Sequence, residues 1–154
     1  MPVKRLKEFL DSQSVRYVSI QHSTTYTAQE VAQSAHISGK DMAKTVVVFV
    51  DGKMAMAVLP AIYKLDLGLL AGAAGGAVEL AAEPQFRGRF PDCELGAMPP
   101  FGNLYGMDVY VDESLSRDEE IAFNAGTHSE LIVLRYDDFA RLVKPKVARI
   151  ADVD

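Results

Sequence analysis

The stretch Lys44-Thr45-Val46-Val47-Val48-Phe49-Val50, then Asp51-Gly52, then Lys53-Met54-Ala55-Met56-Ala57-Val58-Leu59, constrains this chain more than any other. Apolar and β-branched residues on either side of an Asp-Gly pair predict a β-hairpin. Asp-Gly readily takes the positive φ angles of a two-residue turn, whose twist matches that of the strands it joins. Pro60 has no amide proton to donate and closes the second strand. A chain with this hairpin about a third of the way along it contains a sheet, and the remaining segments must cover it.

The segments around the hairpin supply that cover. Val3, Leu6, Phe9 and Leu10 recur at helical spacing and predict an amphipathic helix over the first dozen residues. Residues 15–20 have the content of a short strand. Thr27-Ala28-Gln29-Glu30 fits a capping box, opening a helix that runs to about Ala35 and stops before Gly39. Residues 63–74 are rich in Leu and Ala and read as helix, 77–80 as a short strand, and 81–90 as a short helix or turn. Strands are expected at 107–111, 121–125 and 131–134. Ser116-Arg117-Asp118-Glu119 is a second capping-box candidate, and Asp137 or Asp138 starts a helix that ends before Pro145. The tail beyond Pro145 is expected to be loosely held. Helices interleaved with hairpin-connected strands predict an α+β fold: a mixed, mainly antiparallel, barrel-like sheet flanked by helices, as one domain over residues 1–154.

Composition bounds the function. The chain carries 16 Lys and Arg against 21 Asp and Glu, a formal net charge of −5. A protein that coats nucleic acid needs the opposite balance, so broad phosphate binding is excluded while a grip on one nucleic-acid end is not. The acidic excess is also uneven. Residues 112–138 hold eight acidic residues against Arg117 and Arg135, whereas 40–89 hold six basic and five acidic ones. Cys93 is the one cysteine, so neither an internal disulfide nor a cysteine zinc site can form. The N-terminal residues lack the apolar core of a signal peptide, and the most apolar runs are far short of a membrane span. The expectation is a cytoplasmic protein.

The familiar chemical motifs are missing. Ala71-Gly72-Ala73-Ala74-Gly75-Gly76 lacks the glycine spacing of a dinucleotide site and is not followed by the Lys of a phosphate-binding loop. His22, His36 and His128 form no pair at metal-ligating spacing, and no Gly-x-Ser-x-Gly elbow is present. Three other places remain. Lys44 opens the most hydrophobic strand, either as an edge lysine with its ammonium in water or as a fixed cation for a phosphate or carboxylate. Gly96-Ala97-Met98-Pro99-Pro100-Phe101-Gly102 is stiffened by its prolines. It is either a packed connection or a loop whose backbone amides meet a ligand. Asn124-Ala125-Gly126-Thr127-His128 is either a plain turn or a set of small polar groups converging on a site.

In order and spacing, these segments resemble the YbaK/prolyl-tRNA-synthetase-associated domain family of editing proteins. The resemblance rests on Met42-Ala43-Lys44-Thr45-Val46-Val47-Val48, the Gly-x-x-x-Pro loop from Gly96 to Pro100 with Phe101-Gly102, Val109-Tyr110-Val111-Asp112 and Phe123-Asn124-Ala125-Gly126, and covers roughly residues 20–143. It implies an aminoacyl-tRNA deacylase that hydrolyses the ester of a mischarged tRNA, typically tRNA for proline carrying Ala, Cys, Ser or Thr. Lys44 would hold the phosphate or terminal adenosine, and Gly96 would position the aminoacyl group through backbone amides, with Pro100 fixing the loop. His22, Tyr26, Thr45, Met98, Asn124, Gly126 and His128 complete the implied substrate-lining set. No metal and no cofactor is implied. The partner is the 3′-terminal aminoacyl-adenosine of mischarged tRNA, with prolyl-tRNA synthetase or a translation factor as further partners, and the protein is expected as a monomer or weak homodimer. The competing readings are a non-catalytic tRNA- or synthetase-binding module of the same fold, and a hydrolase of small esters or amides unrelated to tRNA.

Overall fold

The computed structural model describes residues 4–21, 42–91, 93–94, 96–127 and 129–152. In chain order these form α1 (Lys4–Ser12), β1 (Tyr17–Gln21), β2 (Ala43–Val50), β3 (Lys53–Pro60), β4 (Lys64–Leu65), α2 (Leu67–Ala74), β5 (Val78–Leu80), α3 (Glu83–Phe86), β6 (Asp108–Asp112), α4 (Glu113–Ser116), β7 (Glu120–Asn124), β8 (Glu130–Arg135), α5 (Tyr136–Val143), β9 (Lys146–Ala148) and β10 (Ala151–Asp152). The helix expected from Thr27 lies outside the described residues.

The hairpin forms as its sequence predicts. β2 and β3 pair antiparallel from Ala43 opposite Pro60 to Val50 opposite Lys53. Asp51 and Gly52 both take positive φ, 50° and 81°. The turn is also tied sideways: the Asp51 carboxylate accepts the Ala77 N–H at 2.9 Å, and the Asp51 N–H donates to the Ala77 carbonyl at 2.8 Å. That pair starts β5, which lies beside β2.

β2 and β3 sit inside a five-stranded sheet of order β5-β2-β3-β6-β9, in which β3–β6 and β6–β9 are parallel and the other two pairs antiparallel. A three-stranded antiparallel sheet, β1-β8-β7, and the short pair β10-β4 complete the strands. The fold is α+β, mixed and mainly antiparallel, as expected, but it is not a closed barrel. Closure would require the edges β5 and β9 to pair, and no ladder joins them. Among the described residues, a single parallel bridge joins the two larger sheets, Met42 to Ala122.

The two faces of the five-stranded sheet are covered differently. One packs Ala43, Val47, Met56, Val58, Val109 and Val111 into the main core with Leu6 and Leu10 of α1, Phe123 and Ile132 of the smaller sheet, and Phe139 of α5. The other packs Val48, Ala55, Ala57 and Tyr110 under Leu70 of α2 and Ile150 of the C-terminal segment. β3, with apolar neighbours on both faces, is buried from Met54 to Pro60.

Several boundaries differ from expectation for identifiable reasons. The helix read over 63–74 starts at Leu67, because Asp66 caps it by accepting the Leu69 N–H at 2.9 Å, and Lys64-Leu65 pair with β10 instead. Ser116 ends a helix rather than starting one: Asp112 is the cap of α4, and the Ser116 hydroxyl donates to the Glu113 carbonyl. α5 begins at Tyr136, just before the two aspartates, which fill its first turn where the helix dipole favours them. The tail after Pro145 is not loose. Ile150 and Ala151 are fully buried, and both donate their N–H to one Asp112 carboxylate oxygen at 2.9 Å.

No helix among the described residues is long and apolar enough to cross a membrane.

Candidate functional site

The loop between α3 and β6 holds two short 3-10 turns, Arg87–Arg89 and Gly102–Leu104, and its central stretch lies inside. Its prolines prevent strand or helix pairing, and Ala97, Met98, Pro99, Pro100 and Phe101 are all buried. Phe101 anchors it, with Phe123 at 5.5 Å and Phe139 at 5.6 Å between ring centroids. Ahead of this anchor the Ala97 N–H donates to the Glu94 carbonyl at 3.1 Å, which closes a tight turn. Gly96 occupies its third position with φ 81°, a place where a side chain would be strained.

The same turn is laced to the smaller sheet. The Glu94 N–H donates to the Gly126 carbonyl, and the Gly126 N–H donates to the Ala97 carbonyl, both at 2.8 Å. Gly126, at φ 93°, follows β7 directly after Ala125, whose N–H donates to the Glu130 carbonyl. The structure therefore brings Gly96, Met98, Asn124 and Gly126 into one neighbourhood, with the exposed Gly96 at its rim. Among the described residues, the Gly96 N–H has no hydrogen-bond acceptor.

Lys44 reaches this neighbourhood through the backbone. Met42 and Ala122 are bridged in parallel, so Lys44 and Asn124 each lie two residues beyond that bridge in the same direction. Side-chain alternation along β2 then separates two expected partners. Thr45 shares the main-core face with Ala43 and Val47, while Lys44 shares the opposite face with Val46 and Val48. Met98 belongs to the main core, so Lys44 and Met98 lie on opposite sides of the sheet. Pro100 is buried beside Phe101 and serves as a loop anchor. His22, Tyr26 and His128 lie outside the described residues, as does His36.

Electrostatics set Lys44 apart. Lys44 is half-buried, and among the described residues its ammonium has no hydrogen bond or ion pair. Burial pushes its pKa below the usual lysine value, and the nearby positive charge of Lys64 pushes it further the same way. Glu130, close to the Gly126 turn, is the opposite case. Burial alone would raise its pKa, but the Lys7 ammonium at 2.7 Å and the Ser19 hydroxyl outweigh this and hold it low. Nothing in the local sequence pattern marked Glu130 or Lys64. Asp66, a residue type suited to capping, is the sequence signal that ends the expected helix before Lys64.

The arrangement comprises a tight turn at Gly96 with a backbone N–H that has no acceptor among the described residues, and an unpaired, half-buried cation at Lys44, two residues beyond the bridge that ties β2 to β7. Such a site suits an ester that is already activated and attached to a polyanion. Residues 22–142 match the aminoacyl-tRNA editing domain family, and the chain belongs to that family. It is an aminoacyl-tRNA deacylase, hydrolysing mischarged aminoacyl-tRNA in proofreading. Two curated relatives, from Escherichia coli strains K12 and O157:H7, are each named multifunctional Ser/Thr-tRNA deacylase ProXp-y. Each is 28% identical over 149 residues, covering 94% of this chain and 89% of the relative. Among solved structures, a candidate trans-editing enzyme for prolyl tRNA synthetase superposes with a TM-score of 0.85 at 22% identity, over 98% of this chain and 97% of the other. A scaffold protein used for epitope backbone grafting superposes with a TM-score of 0.83 at 21% identity, with the same coverage. Both structural likenesses are likenesses of fold.

Proposed function

We propose that this domain removes serine, threonine, alanine or cysteine from tRNA for proline, with Lys44 and Gly96 at the centre of the site. The observation that carries the reading is the family match over residues 22–142, within which both residues fall. The names of the curated relatives favour serine and threonine within the set.

In the reaction, water adds to the ester carbonyl and the bond to the ribose oxygen breaks. The water's proton passes to that oxygen, and the products are the free amino acid and tRNA. Lys44 holds a phosphate or the terminal adenosine, and the backbone amides around Gly96 polarise the carbonyl. A ribose hydroxyl or the amino acid's own side chain assists. One well-placed donor of this kind is commonly worth about 3 kcal/mol in the transition state. Thr45, Met98, Pro100, Asn124 and Gly126, with His22, Tyr26 and His128, line or support the substrate region. Discrimination against a correctly charged tRNA is steric, since a pocket excludes a larger or differently shaped side chain more readily than a smaller one. The protein works in the cytoplasm as one domain, with prolyl-tRNA synthetase or a translation factor as a further partner.

The test is a panel of alanyl-, cysteinyl-, seryl- and threonyl-tRNA for proline, each with wild type and Lys44→Ala. The expected result is turnover of at least seryl- or threonyl-tRNA by wild type and its loss in the variant. Saturable binding without turnover would support a binding module instead, and turnover independent of the tRNA would support a small-ester hydrolase.

A further inference from the structure

A cavity of about 150 Å³ lies between the Gly96 turn and the segment that runs from α3 to Pro91. Its floor is apolar and fixed. Phe90 and Met98 are 3% and 5% exposed, and the Phe90 ring lies 4.7 Å from that of Tyr105 between centroids. Phe86 forms a wall, edge-on to Phe90 at 6.3 Å and only partly buried. Arg87, Pro91 and Glu94 line the cavity too, and they are exposed, so the mouth lies on their side.

Local chemistry holds the Phe86 wall in place. The four residues of α3 bury nothing. The helix is kept by its own side chains: the Ala82 N–H donates to the Gln85 side chain at 2.7 Å, and Arg87 pairs with Glu83. An aromatic ring is thus carried partly exposed on a single helical turn, which leaves apolar area in water. The cavity also adjoins the reaction site. Glu94 and Ala97 are the first and fourth residues of the turn, about 7 Å or less apart, and Gly96 is the third. Glu94 and Met98, on either side of Gly96, both line the cavity. A group held at the Gly96 N–H therefore has the cavity within the width of one turn. Charge and size narrow the occupant. Arg87 is already paired with Glu83 and Glu94 adds a negative charge, so the mouth does not favour a phosphate. The side chains of serine, threonine, alanine and cysteine are far smaller than this space, and an oversized apolar pocket discriminates poorly among them. A neutral, flat ring system with a polar edge fits, and unstacked bases of single-stranded RNA are held in this way by aromatic side chains.

We infer that this cavity takes the adenine base of the terminal adenosine, which lies against the Phe86 ring above a floor of Phe90 and Met98. The bound base covers the apolar area that Phe86 leaves in water, and the ribose that carries the ester is brought to the Gly96 turn. The inference rests on the tRNA-end reading above and deepens it: the base belongs to the loop, which leaves the phosphate to Lys44.

The experiment compares wild type, Phe86→Ala and Phe86→Tyr for binding of the trinucleotide CCA and of its analogue that lacks the terminal base. Wild type is expected to lose about tenfold in affinity when the base is removed, within the range for one base on an aromatic ring. Phe86→Ala should bind CCA about tenfold more weakly than wild type and no longer tell the two ligands apart. Phe86→Tyr keeps the ring and should restore the difference. A second measurement needs no variant. In wild type bound to CCA, nuclear Overhauser contacts are expected from the adenine ring protons to the rings of Phe86 and Phe90 and to the Met98 methyl group. A base effect as large in folded Phe86→Ala as in wild type, or adenine contacts confined to other residues, would overturn the inference and leave the roles of Lys44 and Gly96 untouched. Contacts to Phe90 from the side chain of a 3′-seryl-amide analogue of CCA would also overturn it, by giving the cavity to the amino acid. Hydrolysis is scored separately: wild type that shows the adenine contacts but cleaves none of the mischarged tRNAs would overturn the proposed activity and leave the base pocket standing.

Discussion

Asp112 and Lys44 are charged residues that one fold treats in opposite ways. Asp112 is buried and saturated, with two backbone N–H groups from the C-terminal segment and both donors of Ser114 on its oxygens. Lys44 is half-buried and, among the described residues, without a partner. A charge that the fold has fully satisfied is a fastener. A charge that the fold has partly desolvated and left unpaired is available to a ligand, and the free energy withheld from folding can be recovered on binding. Glu130, held by Lys7 and Ser19, belongs with Asp112.

The contrast can be broken most forcefully at the fastener. Asp112→Ala leaves three backbone N–H groups without their acceptor, and at 1–3 kcal/mol for each buried group the loss is about 4 kcal/mol. Urea denaturation should show it as a lower midpoint, and amide exchange should report faster opening at Ile150 and Ala151. An unaltered midpoint would remove Asp112 from that role.

At the other end, Lys44→Ala should reduce kcat/KM on mischarged tRNA by a factor of about 10²–10³, the range for loss of one preorganised charge contact. Its melting temperature should stay level or rise, since an unpaired, partly desolvated ammonium is removed. A large fall in melting temperature would mean that Lys44 is a structural residue after all.

Gly96→Val tests the rim. Positive φ costs an L residue about 1–2 kcal/mol, so a modest loss of stability is expected alongside a loss of hydrolysis through crowding of the aminoacyl group. Gly96→Ala, with its smaller side chain, should lie between Val and wild type in both readouts. Equal activity in all three would place the reacting ester away from this turn.

The smallest effect is a slope. Asp112 and Glu130 both have folded-state pKa values held below the ordinary carboxylate range; burial opposes this, but their hydrogen-bond donors prevail. A depressed carboxylate pKa contributes stability that is fully present above the unfolded-state value of about 4 and is lost as pH falls through the folded value. Stability should therefore decline below about pH 4, at up to about 1.4 kcal/mol per pH unit for each group. Glu130→Gln should flatten that decline, as measured by urea melts at successive pH values. An unchanged slope would mean that Glu130 titrates alike in both states.

Local chemistry made part of this legible from residues alone. Asp51-Gly52 between two apolar runs determines a hairpin wherever it occurs, because turn geometry and strand twist are both short-range. The helical spacing of Leu6 and Leu10, the strand over 120–124 and the irregular proline loop are likewise written locally. Lys44, Gly96 and Asn124 were recognisable as candidates by residue type and by family resemblance. Lys64 and Glu130 were not, because their significance depends on what lies beside them, and their neighbours come from distant parts of the chain.

The amino-acid sequence by itself thus determined the hairpin, the class of fold and the family, since periodicity, turn chemistry and short motifs need no knowledge of distant contacts. Only the tertiary structure decided that the sheet stays open, that the C-terminal segment is clamped by Asp112, and that Lys44 and Thr45 point to opposite faces. The physical reason is range. A backbone turn is settled within four residues, whereas the state of a buried charge is settled by donors that here stand 38 and 39 positions away.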